Sequence, residues 1–449
     1  MKSPITKTIP FTKDKKSRRD FVKNTALFTG GAMLLPNLQM NAMVNVFNDK
    51  KLSIALVGCG GRGTGAAIQA LKADENVQLV AMADAFEDRL ESSLININKE
   101  MGESKKVKVK KKHKFVGFDA AQKAMDLADV VILATPPGFR PQHFEYAIEN
   151  GKHVFMEKPV ATDMPGVRKV LAAAEKAKAN KLNVVVGLQR HYQDSYLAAM
   201  EQLKQDKIGK IVSGQVYWNS GGVWVRERKP GQSELEYQMR NWYYFNWLCG
   251  DHILEQHIHN IDVANWFIGE YPISAQGMGG RQVRNGKDHG EIFDHHFVEF
   301  TYPSGAVISS QCRHQPDTMN RVSEFFQGTK GTVSTAGDKA TLTDWMGNTI
   351  FEHRGKDDPN PYQVEHIKLF ESIRNGGVLA DAENGAKSTM SAIIGRMATY
   401  SGKVVTWDEA MKSELSLVPD NLSWDAPAPV QPNAEGEYDI PTPGKTVVL

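Results

Sequence analysis

Cysteine is scarce: Cys59, Cys249 and Cys312 are all that 449 residues contain, an odd and widely spaced set. They offer no disulfide framework and no CxxC pair for zinc or redox chemistry, so the fold must stand on its apolar core. An excess of either charge is also missing, since 54 basic residues meet 52 acidic ones. Without a large field of one sign, nucleic acid is not expected as a partner. Long apolar runs are lacking too. The mildly apolar stretch from Ala26 to Leu35 falls short of the roughly 20 residues that span a membrane, and it contains Gly30 and Gly31, so no permanent membrane anchor is expected. What remains is ordinary globular composition, 41% hydrophobic and 24% charged, over a length that exceeds one core and predicts two domains.

The amino-terminal residues 1–50 read as a processing segment and linker. Basic Lys13, Lys15 and Lys16 lead into Ser17-Arg18-Arg19-Asp20-Phe21-Val22-Lys23 and then the weakly apolar stretch. This resembles a twin-arginine export signal, with cleavage expected after Ala42 and the periplasm as the destination. A second local feature, the lysine-rich run from Lys105 to Lys114, reads as a solvated loop or an edge strand, because charge on an edge blocks further strand pairing.

Beyond the linker, the continuous apolar run Leu52 to Val57 has strand length and meets Gly58-Cys59-Gly60-Gly61-Arg62-Gly63, then a helical pattern from Ala66 to Leu71. In that order Gly58 permits a tight turn, Gly60 lets backbone approach a pyrophosphate, and Gly63 allows helix and strand to pack closely. A second strand, Val77 to Met82, leads to Asp84, whose carboxylate can accept from both ribose hydroxyls and would repel a 2′-phosphate. NAD is therefore expected in preference to NADP. Further apolar runs at Asp129 to Ala134 and His153 to Met156 alternate with helical patterns, which implies parallel strands joined by crossovers.

The last of those strands stops at Glu157-Lys158-Pro159. Proline keeps Lys158 extended at the carboxyl edge of the sheet, where nucleotides bind and where an ammonium can orient a substrate hydroxyl. Gly58 to Gly63, Thr135-Pro136-Pro137, His143 and Gly151-Lys152-His153-Val154-Phe155-Met156-Glu157-Lys158-Pro159 together resemble the Gfo/Idh/MocA oxidoreductases over about Leu52 to Trp407. The resemblance implies an α/β plus α+β architecture: an amino-terminal Rossmann dinucleotide-binding domain, 51–188, and a substrate domain with an open, mostly antiparallel sheet, 189–423. It makes Gly58, Gly60, Gly61, Arg62, Gly63, Asp84, Thr135, Pro136, Pro137, His143, Glu157, Lys158 and Gln189 candidate cofactor residues.

An acid stands four residues before a histidine in Gly250-Asp251-His252-Ile253-Leu254-Glu255-Gln256-His257-Ile258-His259, and on a continuous helix Glu255 and His259 share a face. By resemblance His259 is the proton acceptor, Glu255 its neighbour, and Lys158 positions the hydroxyl. Most relatives carry Asp at the Glu255 position, so the longer side chain is expected to move towards a supporting hydrogen bond. Cys249, His252, Glu255, His257 and His259 are ligand types, but His257 points away from the others on a helix and no matching pair stands elsewhere; no metal is expected. Arg190, Trp242, His257 and His259 are candidate substrate residues, while the rest of the aromatic cluster Trp242 to Trp247 and the strand end Arg313-His314 read first as packing and solvated edge.

Segments at Ile211 to Trp218, Phe293 to Tyr302, Ala306 to Arg313 and Ser323 to Gln327 read as the second sheet. Tyr362 to Arg374 and Asn384 to Ser401 read as helices that return to the nucleotide domain, and the proline-rich 424–449 as an extended tail that wraps the body or a sister subunit. The expected activity is hydride transfer between nicotinamide and a ring hydroxyl of a sugar, inositol or glycoside, by a homo-oligomer. An NAD-dependent glycosidase is the second reading, although the Tyr-Pro-Thr-His pattern of such relatives is missing, and a catalytically silent sugar-binding protein is the third.

Overall fold

A computed structural model of the chain describes residues 50–449; the Ser17 to Lys23 motif and the expected cleavage site lie outside them. Two sheets carry the architecture. Strands β1 (Leu52–Val57), β2 (Val77–Asp84), β3 (Lys114–Val116), β4 (Val130–Leu133), β5 (His153–Met156) and β6 (Val184–Val186) form a parallel sheet in the order β3-β2-β1-β4-β5-β6. That order is the dinucleotide-binding one, with a switch point between β1 and β4. Its central strands are apolar throughout because helices cover both faces, as the fully buried Val130–Leu133 shows. The lysine-rich run takes the edge: Val107 bridges Leu79, and Lys114 begins β3.

The second sheet joins β7 (Ile211–Ser220), β8 (Ser274–Gly280), β9 (His295–Thr301), β10 (Val307–His314), β11 (Arg321–Gly328), β12 (Gly331–Ala336), β13 (Lys339–Asp344), β14 (Thr349–Arg354) and β15 (Val405–Thr406). Their order is β14-β13-β12-β11-β7-β10-β9-β8-β15, and among the described strands of this second sheet only β7 and β10 pair in parallel. Here the sequence alternates, and alternate residues of β9 and β10 are buried beneath helices while their neighbours stand on a more open face.

One helix, Ala382–Ser401, is buried almost all round because it lies between the two sheets, against β6, β8, β9 and the helix Met164–Ala179. Its Arg396 donates to Thr162 O at 2.8 Å and Gly250 O at 3.1 Å, a cation that ties the two halves through main-chain carbonyls. The helix Pro361–Arg374 returns to the nucleotide half, where Arg374 forks onto Asp74 with two bonds of 2.9 Å. The tail wraps its own chain: Trp424 packs on Phe86 and Phe118 with ring centroids 5.3 and 4.7 Å apart, and the buried Tyr438 meets Phe245 at 5.0 Å.

One local expectation needs correction. Glu255 and His259 do not share a continuous helix, because the helix His252–Glu255 ends at Gln256 and a new one, Ile258–Ile268, begins after His257. The break lets both side chains reach the same cleft from different elements.

Candidate active site

A cleft of about 780 Å³ opens along the carboxyl edge of the parallel sheet and runs under the second. The turn after β1 forms its floor. Gly58 has φ +95, and a Cβ built there would sit 2.5 Å from the main chain of Ala134; one built on Gly63 would lie 2.0 Å from Gly58 O. Side chains at these two positions would push helix and strand apart. By contrast, a Cβ on Gly60 or Gly61 would meet nothing within 4 Å, so backbone there faces open cleft. The amino terminus of the helix Gly61–Ala73 opens onto the same space, the arrangement that receives a phosphate.

Asp84, the last residue of β2, lines the cleft. Its Oδ2 accepts from Cys59 N at 2.7 Å and its Oδ1 from Phe86 N at 2.9 Å, which fixes the carboxylate while leaving lone pairs for a ribose. Burial raises its pKa above the ordinary carboxylate value, against the pull of those two N–H groups. Thr135, Pro136 and His143 also line the cleft, whereas Pro137 begins a short helical turn and does not line it. His143 Nδ1 lies 3.3 Å from Thr135 Oγ1, and burial followed by the nearby Arg140 charge lowers its pKa to about 4.

The stop of β5 is held by opposite charges. Glu157 accepts from Arg62 Nε at 2.5 Å, and Arg62 reaches Glu365 of the returning helix at 2.9 Å. Both Arg62 and Glu157 border the cleft, but their charges are spent on each other. The Lys158 ammonium donates to the main-chain oxygen of Glu255 and lies 3.5 Å from its Oε1. Glu255 therefore supports the lysine chiefly through its backbone. Burial raises the pKa of the Glu255 carboxyl, opposed by Lys158 and Arg140.

His259 is 5% exposed, stacks on Trp218 at 5.9 Å and borders the cleft, with no hydrogen-bond partner on its Nδ1. Burial, then the charges of Lys158, Arg190 and Arg62, hold its pKa well below the ordinary imidazole value. The ring is thus neutral and able to take a proton. Lys158, Glu255, His259 and the glycine turn meet around one space, joined by Trp242 at the rim.

Besides Pro137, three expected residues lie outside that space. Arg190 is buried and donates to Glu324, whose oxygens also accept from Asn260 at 2.5 Å, Thr335 at 2.6 Å and Tyr196 at 2.9 Å. His257 is fully buried against β10, with Nε2 2.7 Å from Ser310 Oγ and Nδ1 3.3 Å from Asn260 Oδ1; burial lowers its pKa to about 3. Gln189 begins a short helical turn and does not line the cleft. The structure adds Arg140, Trp218, Tyr243 and Gln256 to the lining. Gln256 adjoins Glu255 in sequence, but only the helix break turns it inward.

The nearest cluster of metal-ligand types among the described residues is Asp251, His252 and His296. Asp251 already accepts from His252 N at 2.5 Å, His252 Nδ1 at 2.8 Å, Phe293 N at 3.0 Å and Tyr400 Oη at 2.5 Å. Its lone pairs are filled by protein donors, which makes it a buried anchor for the loop before Glu255.

Known proteins resemble this chain in sequence and fold. Residues 52–187 match a family described as the GFO/IDH/MocA oxidoreductase family with an NAD-binding Rossmann fold, and residues 196–334 match the GFO/IDH/MocA C-terminal domain. Inositol 2-dehydrogenase of Rhizobium meliloti is 24% identical over 366 residues, 81% of this chain and 98% of that enzyme. The aldose-aldose oxidoreductase of Caulobacter crescentus, solved with glycerol, has a TM-score of 0.62 at 18% identity and covers 80% of this chain and 100% of its own. Levoglucosan dehydrogenase, solved with NADH and levoglucosan, also has a TM-score of 0.62, at 15% identity over 79% of this chain and 99% of its own. At these identities the two structures show the same fold.

The burial of Arg190 yields a prediction that separates core from cleft. Replacing it by Met leaves the Glu324 carboxylate buried without its cation, which costs about 3–5 kcal/mol. Arg190→Met should therefore lower the melting temperature markedly. A normal melting temperature combined with weakened substrate binding would return Arg190 to the cleft.

Proposed function

The chain belongs to the Gfo/Idh/MocA family of NAD-binding oxidoreductases, and on that premise we propose that it oxidises a ring hydroxyl of a sugar, inositol or glycoside, with NAD favoured over NADP. The observation that carries this reading is the convergence of Lys158 and a neutral His259 beside the glycine turn in one cleft. Aromatic Trp218 and Trp242 in the same lining suit the apolar faces of a sugar ring.

When bound, NAD supplies the nicotinamide carbon that takes up a hydride. The open backbone of Gly60 and Gly61 and the helix terminus behind it hold the pyrophosphate, and Asp84 the ribose. Lys158 spends one N–H on Glu255 O and keeps others for the oxygen of the reacting hydroxyl. His259 takes that hydroxyl's proton as the carbon–oxygen double bond forms. Arg62, paired with Glu157 and Glu365, acts from outside the reacting atoms by fixing the stop of β5 against the glycine-turn helix.

Export is a separate proposal. Its support is the Ser17 to Lys23 sequence, which matches the route that carries folded, cofactor-loaded proteins. Changing Arg18 and Arg19 together to Lys should retain the protein in the cytoplasm; periplasmic accumulation of that variant would overturn it.

Turnover is read by following reduced-cofactor absorbance with myo-inositol, glucose and methyl glucosides. Lys158→Met and His259→Ala should each lower turnover on the best of these by about a hundredfold or more, as for lost acid–base catalysis, while NAD still binds. Because the imidazole pKa is depressed, the neutral base persists as pH falls, so oxidation should stay level through about pH 6.5, the ordinary imidazole value, and decline only below it. That acid limb should vanish in His259→Ala. A limb centred at the ordinary value or above, or near-normal turnover by Lys158→Met, would remove these residues from the reaction.

Cofactor choice is predicted to depend on Asp84, which would face a 2′-phosphate as a like charge. Asp84→Ser should narrow or reverse the NAD preference in a titration of both cofactors. Equal affinity of the wild-type protein for NAD and NADP would defeat the assignment.

A further inference from the structure

Behind the wall of the cleft that faces away from the glycine turn lies a polar chain that the reaction above does not use. Gln256 occupies the break between two helices and lines the cleft with its side chain half-buried. Its Oε1 lies 2.7 Å from His314 Nε2, and among the described residues its amide nitrogen has no protein partner. His314 closes β10 and is 1% exposed, with its ring stacked on those of His252 at 4.4 Å and Tyr243 at 5.8 Å. His252 is in turn fixed by its Nδ1 bond of 2.8 Å to Asp251. Tyr243, which also lines the cleft, has a buried hydroxyl with no partner.

We infer that Gln256 is a specificity-determining residue of this site: its amide, oriented by His314, donates to a substrate hydroxyl next to the one that reacts. The orientation follows from proton bookkeeping. Burial, followed by the His252 and Arg284 charges, keeps the His314 ring neutral. A neutral ring carries one proton, and placing it on Nε2 satisfies Gln256 Oε1 and turns the NH₂ towards the cleft. The opposite arrangement would put that proton on the buried Nδ1, which has no partner. Stacking on His252 and Tyr243 packs the buried ring in place, so the amide is presented in one direction before substrate arrives. Tyr243, whose pKa burial holds well above the ordinary phenol value, stays protonated and brings a second O–H without a protein partner to the same lining.

Such a site reads the sugar by the position of its hydroxyls. A group built to hydrogen-bond a hydroxyl penalises any analogue that lacks it, because the buried donor is then left unmet. Gln256 lies immediately beside Glu255, whose main chain holds Lys158, so the hydroxyl it reads is a near neighbour of the reacting one. His314 touches neither substrate nor cofactor and is a positioning residue.

The inference rests on the sugar-oxidoreductase reading, and its test starts from whichever of myo-inositol, glucose and the methyl glucosides the wild-type enzyme oxidises. Monodeoxy analogues of that compound are then compared on wild type, Gln256→Leu, His314→Phe and the double variant, each with NAD affinity measured alongside. One deoxy position should cost the wild type about tenfold in kcat/KM, as for a lost hydrogen bond, and cost Gln256→Leu almost nothing. On the parent sugar, Gln256→Leu and His314→Phe should raise KM with kcat and NAD affinity little changed, and the double variant should be no worse than Gln256→Leu. If Gln256→Leu keeps the full wild-type discrimination among the deoxy analogues, Gln256 does not read the substrate. If the two single losses add, His314 does not act through Gln256. A wild-type enzyme silent on every compound would instead overturn the sugar-oxidoreductase reading beneath both.

Discussion

The contact of the Lys158 ammonium with the main-chain oxygen of Glu255 is the junction on which the site depends. It joins the end of a strand in the nucleotide half to the break between two helices in the other half. Because Lys158 is only 12% exposed, the charge has lost most of its water, and the protein must replace it. A carbonyl and a carboxylate from Glu255 do so on one side, while the adjoining Glu157 is locked to Arg62. The result is a fixed lysine at the carboxyl edge of the sheet and a loop that cannot drift away from it.

Burial and the same crowding of charge explain the state of the neighbouring histidine. Burial is the larger cause, and Lys158, Arg190 and Arg62 add to it by raising the potential at His259, so the ring is held neutral. A base kept deprotonated by its surroundings suits the oxidation of an alcohol, in which a proton must leave the hydroxyl as the hydride leaves carbon.

Around this junction the larger elements act as braces. The helix Ala382–Ser401 and its Arg396 join the two sheets, Arg374 forks onto Asp74, and the tail lays Trp424 on Phe86 and Phe118 at the rim of the cleft. The cleft is thus lined by the sheet edge and its glycine turn from one half of the chain and by Trp218, Trp242, Tyr243 and Gln256 from the other.

Much of this was legible locally. Strands β1 and β5 run over the apolar stretches Leu52–Val57 and His153–Met156 because a strand covered on both faces has no alternative composition. The glycine turn, Asp84 and Lys158 followed from short-range rules, since a tight turn, close packing and a proline each constrain only their neighbours. The break at Gln256 was not legible, because apolar Ile253, Leu254, Ile258 and Ile261 fit one helical pattern as well as two. Nor were strands β12 to β14, which run out to one edge of the second sheet and whose polar residues carry a weak alternation.

The amino-acid sequence by itself determined the parallel sheet, its nucleotide turn and the residue types available for hydride and proton transfer, because these depend on spacing along the chain. Tertiary structure alone decided which polar side chains face the cleft. Arg190 and Glu324 stand 134 positions apart, and until the chain brings them together nothing distinguishes a buried ion pair from a substrate-binding arginine. His257 and Gln256 are adjacent, yet one is sealed against Ser310 and the other opens on the cleft. Burial is a property of neighbours distant in sequence, and it determines whether a polar group is spent on the protein or left for a ligand.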